Sequence, residues 1–227
     1  MIPIRDEIKT HRTPIINYTL IAINVIVFLW MFLNGNDIER IYNEYALIPA
    51  NFLNGIDWGD IGDLFSSMFM HGGWMHLIGN MLYLWIFGDN IEDRLGHVGY
   101  LFFYLAGGLA AGLMQVMINP SSQVPMLGAS GAIAAVLGAY LVMYPNSRVY
   151  TFIPIGFFAR LTLVPAVVVL GLWFLLQLLS GVGSLGASDE GGTAYFAHIG
   201  GFVFGLIIGW IFKKSGRDPQ PAPPGWN

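Results

Sequence analysis

Four side chains in this sequence could together perform acyl transfer: Ser130, His198, His76 and Asn80. A serine hydroxyl becomes a nucleophile when an imidazole takes its proton, and imidazole or amide N–H groups can bind the oxyanion that then forms. Ser130 stands in a Gly-Ala-Ser-Gly tetrapeptide, where a polar loop changes into an apolar run. Small residues around a serine are also common wherever membrane helices pack closely, so the tetrapeptide alone does not identify a nucleophile. Its meaning depends on the elements that position these residues.

The composition is that of a membrane protein. Of the 227 residues, 55% are hydrophobic and 11% are charged, and the mean hydropathy is +0.60. Soluble globular proteins carry about a quarter charged residues, so this chain has too few charges to cover a soluble globule of its size. The net charge of -4 and the absence of a basic cluster argue against nucleic acid as a partner.

Metal and cofactor chemistry is not expected. The chain has no cysteine, which excludes disulfides, thiolate nucleophiles and cysteine-ligated metals. His71 and His76 are five residues apart with no acidic residue between them, so a metalloprotease helix of the His-Glu-x-x-His kind is excluded. The spacing also predicts that the two imidazoles point in different directions. We therefore predict no metal and no cofactor.

Six predominantly apolar stretches are long enough, or nearly so, to cross a bilayer as helices, which requires about 20 residues. They are residues 15–33, 74–95, 98–118, 130–144, 161–180 and 194–212. The sequence therefore predicts an all-α polytopic membrane protein with one six-helix membrane domain over residues 15–213. Residues 1–14 would form a cytoplasmic segment, and the proline-rich residues 214–227 a disordered cytoplasmic tail.

The distribution of Lys and Arg predicts the orientation, because cytoplasmic loops are enriched in both. With the N-terminus in the cytoplasm, Arg40 is the only cation outside. The cytoplasmic ones are Arg5, Lys9, Arg12, Arg94, Arg148, Arg160, Lys213, Lys214 and Arg217. We therefore expect a multi-pass protein of the cell membrane with both termini cytoplasmic. Two external segments follow: residues 34–70, which could carry a short interfacial helix, and the Gly- and Ser-rich residues 181–193, a lid or a plain connector.

Three of the candidate residues lie at one predicted depth. Ser130, His198 and Asn80 each stand fourteen residues before the inner end of a helix that runs from outside to inside. At about 1.5 Å per residue this is about 21 Å from the cytoplasmic boundary, roughly 9 Å below the outer surface of a core about 30 Å thick. His76 lies four residues before Asn80, on the same helix face. Because polar groups at this depth are costly without partners, their common depth favours one shared site.

Small residues predict that the serine and histidine helices touch. They recur every four residues as Gly131, Ala135 and Ala139 on one helix and as Ala197, Gly201, Gly205 and Gly209 on the other. Such stripes let backbones approach closely, and each begins one residue from Ser130 or His198. The hydroxyl should therefore reach the imidazole. Because neither helix contains Asp or Glu to orient the ring, we expect a two-residue dyad rather than a triad.

Taken in order, three motifs resemble those of bacterial rhomboid intramembrane serine proteases. They are His71-Gly-Gly-Trp-Met-His76-Leu-Ile-Gly-Asn80, Gly128-Ala-Ser130-Gly131, and Ala197-His198 followed by Gly200-Gly201. The resemblance spans about residues 15–213. It implies that Ser130 attacks the substrate carbonyl with His198 as general base. It also implies that His76 and Asn80 form an oxyanion hole with the backbone N–H of Ser130.

Two features depart from the pattern of that family. Many members carry a Trp-Arg pair in the first external loop, whereas here Trp58 is followed by Gly59. Some members also have an aromatic residue four positions after the serine that stacks on the histidine, and this chain has Ala134. Glu92-Asp93-Arg94 does match a family motif, and we expect it to be structural. The sequence leaves open how the first external loop is anchored and what orients His198.

We therefore expect an intramembrane serine endopeptidase that cleaves transmembrane segments of membrane proteins near the outer face of the lipid bilayer. One alternative is a proteolytically inactive rhomboid-like protein that binds membrane-protein clients. A small transporter is a third class, but it would require broken half-helices or inverted repeats, and the sequence shows neither. Substrate identity and oligomeric state are left open.

Overall fold

The computed structural model describes residues 1–155, 158–184 and 194–214. Eight α-helices lie in these ranges: α1 (Ile15–Leu33), α2 (Ile38–Tyr45), α3 (Trp58–Ser66), α4 (Trp74–Leu95), α5 (His97–Ile118), α6 (Ser130–Met143), α7 (Ala166–Ser184) and α8 (Tyr195–Lys214). Three β-strands accompany them: β1 (Ile2–Asp6), β2 (Arg148–Ile155) and β3 (Phe158–Pro165). The proline-rich tail after residue 214, and residues 185–193 of the Gly- and Ser-rich segment, lie outside the described residues.

Each of the six apolar stretches predicted from the sequence contains a long helix, and the expected all-α polytopic membrane fold is confirmed. Four of these helices, α1, α5, α7 and α8, are long and apolar enough to cross a membrane. The fifth, α4, has 22 residues, but its last two turns carry Asp89, Glu92, Asp93 and Arg94. The sixth, α6, has only 14 residues and is buried on nearly all sides against α4, α5, α7 and α8. A helix that is apolar all round belongs in a core, so α6 is the central helix of the bundle.

The predicted contact between α6 and α8 is present. A Cβ added to Gly201 would overlap the backbone carbonyl of Gly131, and one added to Gly205 would overlap the carbonyl of Ala135. The same close approach recurs one turn further on, at Gly209. The two backbones are therefore nearly in contact along three turns, which is what the small-residue stripes predict.

A small antiparallel sheet, which the sequence analysis did not predict, lies at one end of the bundle, here called the sheet end. β2 pairs with β3 along its whole length and with β1 on its other edge. Val149 and Thr151 of β2 are buried and their neighbours are not, which is the period of two for a strand packed on one face. Because β3 occupies residues 158–165, α7 begins at Ala166 rather than at the predicted residue 161.

Two carboxylates at the sheet end fasten α4 to the start of α1. Glu92 accepts hydrogen bonds from the backbone N–H groups of Ile16 (2.9 Å) and Asn17 (2.7 Å). Its neighbour Asp93 accepts from the backbone N–H groups of residues 11–12 (3.1 and 3.0 Å). Glu92 thus satisfies N–H groups at the start of α1 that have no partner within the helix and interacts favourably with its dipole, while Asp93 holds the segment before the helix. The motif that contains them therefore has the structural role expected from the sequence.

The segment between α1 and α4 lies beside the opposite end of the bundle, here called the serine end, where α6 begins. It contains both α2 and α3, so the short helix expected between residues 34 and 70 is accompanied by a second one. Leu47 of this segment forms a β-bridge with Met126, and the Ser67 carbonyl accepts a 2.8 Å hydrogen bond from the N–H of Gly128. These contacts hold the loop that leads into α6, and so they position its first residue.

Candidate active site

The structure brings the predicted serine and histidine into direct contact. Ser130 is the first residue of α6, and His198 lies in the first turn of α8. Oγ of the serine and Nε2 of the imidazole are 2.7 Å apart, which is a hydrogen bond. The contact follows from the packing, because Gly131 and Gly201 place no side chain between the two backbones. The imidazole is only 8% exposed, so the pair lies within the bundle rather than on its surface.

The second nitrogen of this imidazole has a partner that the sequence analysis missed. Nδ1 of His198 lies 2.7 Å from Oε1 of Gln177 on α7. The indole of Trp173, one turn earlier on α7, lies beside the ring, with centroids 5.8 Å apart. The ring of His198, whose orientation the sequence left open, is therefore contacted by the neutral amide of Gln177 and the indole of Trp173. The rule that a polar group within an apolar membrane segment needs a partner would have singled out Gln177.

The imidazole of His76 lies close to the start of α6 because Gly128 has no side chain. Gly128, in the turn before α6, has a φ of 130°, a conformation that L side chains rarely adopt. A Cβ at this position would lie 2.8 Å from Nε2 of His76 and 3.6 Å from Oγ of Ser130. The glycine therefore leaves room for the imidazole of α4 to approach the turn that carries the serine.

Asn80, one turn after His76 on α4, is held by a third imidazole. Its Nδ2 donates a 2.9 Å hydrogen bond to Nε2 of His71, because an amide nitrogen has no lone pair to accept one. His71 is buried, and burial lowers the pKa of its imidazole to about 4, so the ring is neutral near pH 7 and can accept.

The prediction that His71 and His76 point in different directions is wrong. The centroids of the two rings are 5.0 Å apart, in an edge-to-face arrangement. The prediction applied helical spacing to both residues, although the predicted helix, like α4, begins at residue 74 and His71 lies in the turn before it. That turn folds His71 back over the first residues of α4. Within the described ranges, no group of three or more His, Asp or Glu side chains could hold a metal ion.

All four predicted residues line one cavity of about 660 Å³ at the serine end. Its walls come from α4, α5, α6, α7 and α8, from the loop before α6 and from the segment between α1 and α4. Gln115 of α5 also lines it, and Oε1 of this residue accepts a 3.2 Å hydrogen bond from the backbone N–H of Ala197 at the start of α8. That contact caps the helix that carries the imidazole.

The arrangement supplies the parts that acyl transfer requires. A hydroxyl contacts an imidazole acceptor, and the ring is held from its other nitrogen. His76 and Asn80, whose side chains can donate N–H groups, line the same cavity, together with the first turn of α6, whose backbone N–H groups have no partner within the helix. Donors fixed in a poorly solvated cavity stabilise a developing negative charge more strongly than they would in water.

Comparisons with known proteins point to one family. Residues 59–215 match the family model described as the Rhomboid domain. Rhomboid protein 1, mitochondrial, of Saccharomyces cerevisiae is 28% identical over 214 residues, which cover 91% of this chain and 56% of the yeast protein. RHOMBOID-like protein 1 of Arabidopsis thaliana is 30% identical over 154 residues, covering 67% of this chain and 35% of that protein.

A bacterial relative, the Rhomboid protease GluP of Bacillus subtilis, is 30% identical over 135 residues, covering 60% of this chain and 26% of its own length. The chain thus corresponds to between 26% and 56% of the length of these three relatives. The match to the family model extends over well more than half of the chain. The chain belongs to the rhomboid family.

Proposed function

We propose that this protein is an intramembrane serine endopeptidase that cleaves transmembrane segments of membrane proteins. The observation that carries the proposal is the 2.7 Å hydrogen bond between Oγ of Ser130 and Nε2 of His198 within an apolar helix bundle. Polar groups are costly in such surroundings, and this contact is the one that a serine nucleophile and its general base require. A relative whose name includes the word protease, GluP of Bacillus subtilis, supports the same activity.

In the proposed reaction, Oγ of Ser130 attacks the carbonyl carbon of the scissile peptide bond while Nε2 of His198 takes the hydroxyl proton. The oxyanion of the tetrahedral intermediate accepts hydrogen bonds from His76, Asn80 and the backbone N–H of the serine. When the C–N bond breaks, the imidazolium gives its proton to the leaving amine and an acyl-enzyme remains. Water then attacks the ester, with the imidazole again as base, and releases the carboxylate product. This scheme consumes only water and uses no metal or cofactor.

The proposed orientation places the membrane domain, residues 15–213, in the cell membrane and residues 1–14 and 214–227 in the cytoplasm. It is supported by the excess of Lys and Arg at the sheet end, for example Arg5 and Arg148 on the strands. The serine end then faces outward, and water and substrate enter the cavity from that side. Cleavage is accordingly proposed near the outer membrane boundary of the substrate.

The alternative is a rhomboid-like protein that binds membrane-protein clients without cleaving them. Such a function places no requirement on the hydroxyl of Ser130, on the imidazole of His198 or on their separation. The 2.7 Å contact between these two side chains, and the second contact that holds the ring, therefore favour the enzyme.

Labelling with a fluorophosphonate probe, which reacts with activated serines, tests the proposal. We expect the purified wild-type protein to be labelled at Ser130, and Ser130→Ala and His198→Ala to lose both labelling and cleavage of a transmembrane substrate while remaining folded. The matched control is Ser121→Ala, which removes an exposed hydroxyl from the loop before α6 and should change neither readout. Unchanged labelling and turnover in Ser130→Ala would contradict the assignment of the nucleophile. Folded wild-type protein that neither labels nor cleaves would favour the client-binding alternative.

A further inference from the structure

Gln177 is a polar side chain within an apolar stretch of α7. It lies in the fourth turn of α7, in the stretch Leu-Trp-Phe-Leu-Leu-Gln-Leu-Leu, and it is half-buried. A carboxamide in such a segment is costly unless it is hydrogen-bonded. Its oxygen lies 2.7 Å from Nδ1 of His198, the nitrogen that faces away from Ser130.

We propose that Gln177 is a positioning residue for the reaction: its carboxamide oxygen holds Nδ1–H of His198, so that the lone pair of Nε2 faces the hydroxyl of Ser130. This inference rests on the proposed function, and it names the residue that takes the place of a third member of a triad. An oxygen can only accept, so Nδ1 must carry the proton of the neutral ring. Only that tautomer can take the serine proton at Nε2.

The face of α7 that meets α8 holds the ring in place. Trp173, Gln177 and Gly181 are spaced four residues apart and therefore lie on one side of the helix. Trp173 lies beside the imidazole, and Gln177 is hydrogen-bonded to it. A Cβ added to Gly181 would come within 3.3 Å of Cβ of Tyr195 on α8. The imidazole is thus contacted by α6 at one nitrogen and by α7 at the other.

A neutral acceptor suits this position for an electrostatic reason. A carboxylate there would be a charge buried at membrane depth, and it would also raise the pKa of the imidazole by favouring the imidazolium. The carboxamide fixes the same tautomer without adding a charge. The carboxamide therefore orients the lone pair of Nε2 without raising the pKa of the imidazole as a carboxylate would.

Three variants separate positioning from helix packing. Gln177→Leu keeps the volume and removes the acceptor, whereas Gln177→Glu keeps an acceptor and adds a charge. Leu176→Ala is the control, because this neighbouring side chain is 52% exposed and lies away from the imidazole. Each variant is assayed for kcat and KM on a transmembrane substrate across pH, with thermal unfolding as a check on folding and Ser130→Ala as the inactive reference.

We expect Gln177→Leu to lower kcat about tenfold with little change in KM, a factor that corresponds to about 1.4 kcal/mol, the upper range for one neutral hydrogen bond. Gln177→Glu should retain more kcat than Gln177→Leu, and the acidic limb of its kcat/KM profile should shift to higher pH by about one unit. Leu176→Ala should match wild type. If Gln177 only joined α7 to α8, the buried carboxylate would be the more damaging change. Equal or greater loss in Gln177→Glu, or wild-type kcat in folded Gln177→Leu, would overturn the inference.

A spectroscopic measurement does not depend on turnover. In wild-type protein labelled with ¹⁵N-histidine, His198 should show a protonated Nδ1 and an unprotonated Nε2 at pH 7, assigned by the loss of its signals in His198→Ala. A proton on Nε2 instead would overturn the inference even if no Gln177 variant folded. Activity in Ser130→Ala would overturn the proposed function itself. An inactive Ser130→Ala beside a fully active Gln177→Leu would reject only the role of Gln177.

Discussion

Gly201→Ala adds one methyl group where α8 touches α6, and it should separate the two side chains proposed to be catalytic, Ser130 and His198. Its Cβ would overlap the carbonyl oxygen of Gly131, and the helix would have to retreat by about 1 Å to reach the closest contact that real Cβ atoms show. His198 stands one turn before this glycine on the same helix. The separation of 2.7 Å between its Nε2 and Oγ of Ser130 would grow to about 3.7 Å, which is beyond a hydrogen bond.

The expected loss follows from that displacement. A misplacement of about 1 Å in a catalytic group can cost about 10² in rate, so we expect kcat to fall about 10²-fold. Overpacking should also lower the free energy of unfolding by about 1–3 kcal/mol. The assay is steady-state cleavage of a transmembrane substrate in detergent or liposomes, together with unfolding of the same preparations, so that activity is reported per folded molecule.

Two other glycines provide matched controls. Gly171→Ala, on α7, meets nothing within 4 Å and should leave kcat unchanged, with a stability gain of up to about 1 kcal/mol from helix propensity. Gly205→Ala overlaps the carbonyl of Ala135 one turn further from the imidazole, so it should cost similar stability and less activity. Wild-type kcat in folded Gly201→Ala would refute the reasoning, because the close approach of α6 and α8 would then not set the distance between the proposed catalytic groups.

Three further predictions concern the proposed oxyanion hole, the choice of substrate and the pH dependence of stability. Asn80→Ala should lower kcat by about 10²-fold or somewhat less with little effect on KM, since one oxyanion donor is worth about 10² to 10³ and others remain; a change in KM alone would assign this residue to substrate binding. A carbonyl in a substrate helix is accessible only after local unwinding. Replacing a Gly pair near the outer end of a substrate transmembrane segment by Ala-Leu should therefore lower kcat/KM. An unchanged kcat/KM would mean that side-chain pockets govern substrate selection. Burial raises the pKa of Asp6 from 3.8 to about 6. The protonated carboxyl therefore adds to the free energy of unfolding below about pH 4. This contribution, roughly 3 kcal/mol at most, is lost as the pH rises to about 6. In Asp6→Asn, the fall in the free energy of unfolding between pH 4.5 and 7 should be smaller than in wild type, and an equal fall would mean that other groups cause it.

The membrane helices could be predicted because length, apolarity and small-residue spacing are local properties of the sequence. The stripe that begins at Gly131 and the one that begins at Ala197 identified the contact between α6 and α8, which the structure reproduces. The sheet could not be predicted in the same way. β3 is an apolar run that continues into α7, so hydropathy assigned residues 161–165 to the helix. β2 is only eight residues long, and the alternation of its buried Val149 and Thr151 with less buried neighbours is visible only in the structure.

The candidate site likewise combines features that local sequence properties predict with features that depend on tertiary packing. Ser130 and His198 could be paired from their depth and the stripes beside them. Gln177 carried a signal, an amide in an apolar run, but its partner depends on which helices are neighbours. The position of His71 depends on the turn that precedes α4, and applying helical spacing to a residue outside that helix gave the wrong direction.

The sheet has a consequence for the order in which the protein assembles. Ile2 of β1 pairs with Phe152 of β2, which lies 150 residues later in the chain. At a synthesis rate of about 5–20 residues per second, β1 waits about 8–30 s for its partner, and α1, α4, α5 and α6 are all made during that interval. The hydrogen bond that Asp6 accepts from Tyr140 (2.6 Å) must likewise form after α6 has been made, whereas the one that it accepts from Asn90 (2.9 Å) requires only α4. The strand nearest the N-terminus therefore docks late in biogenesis, onto a bundle whose central helix has already been synthesised.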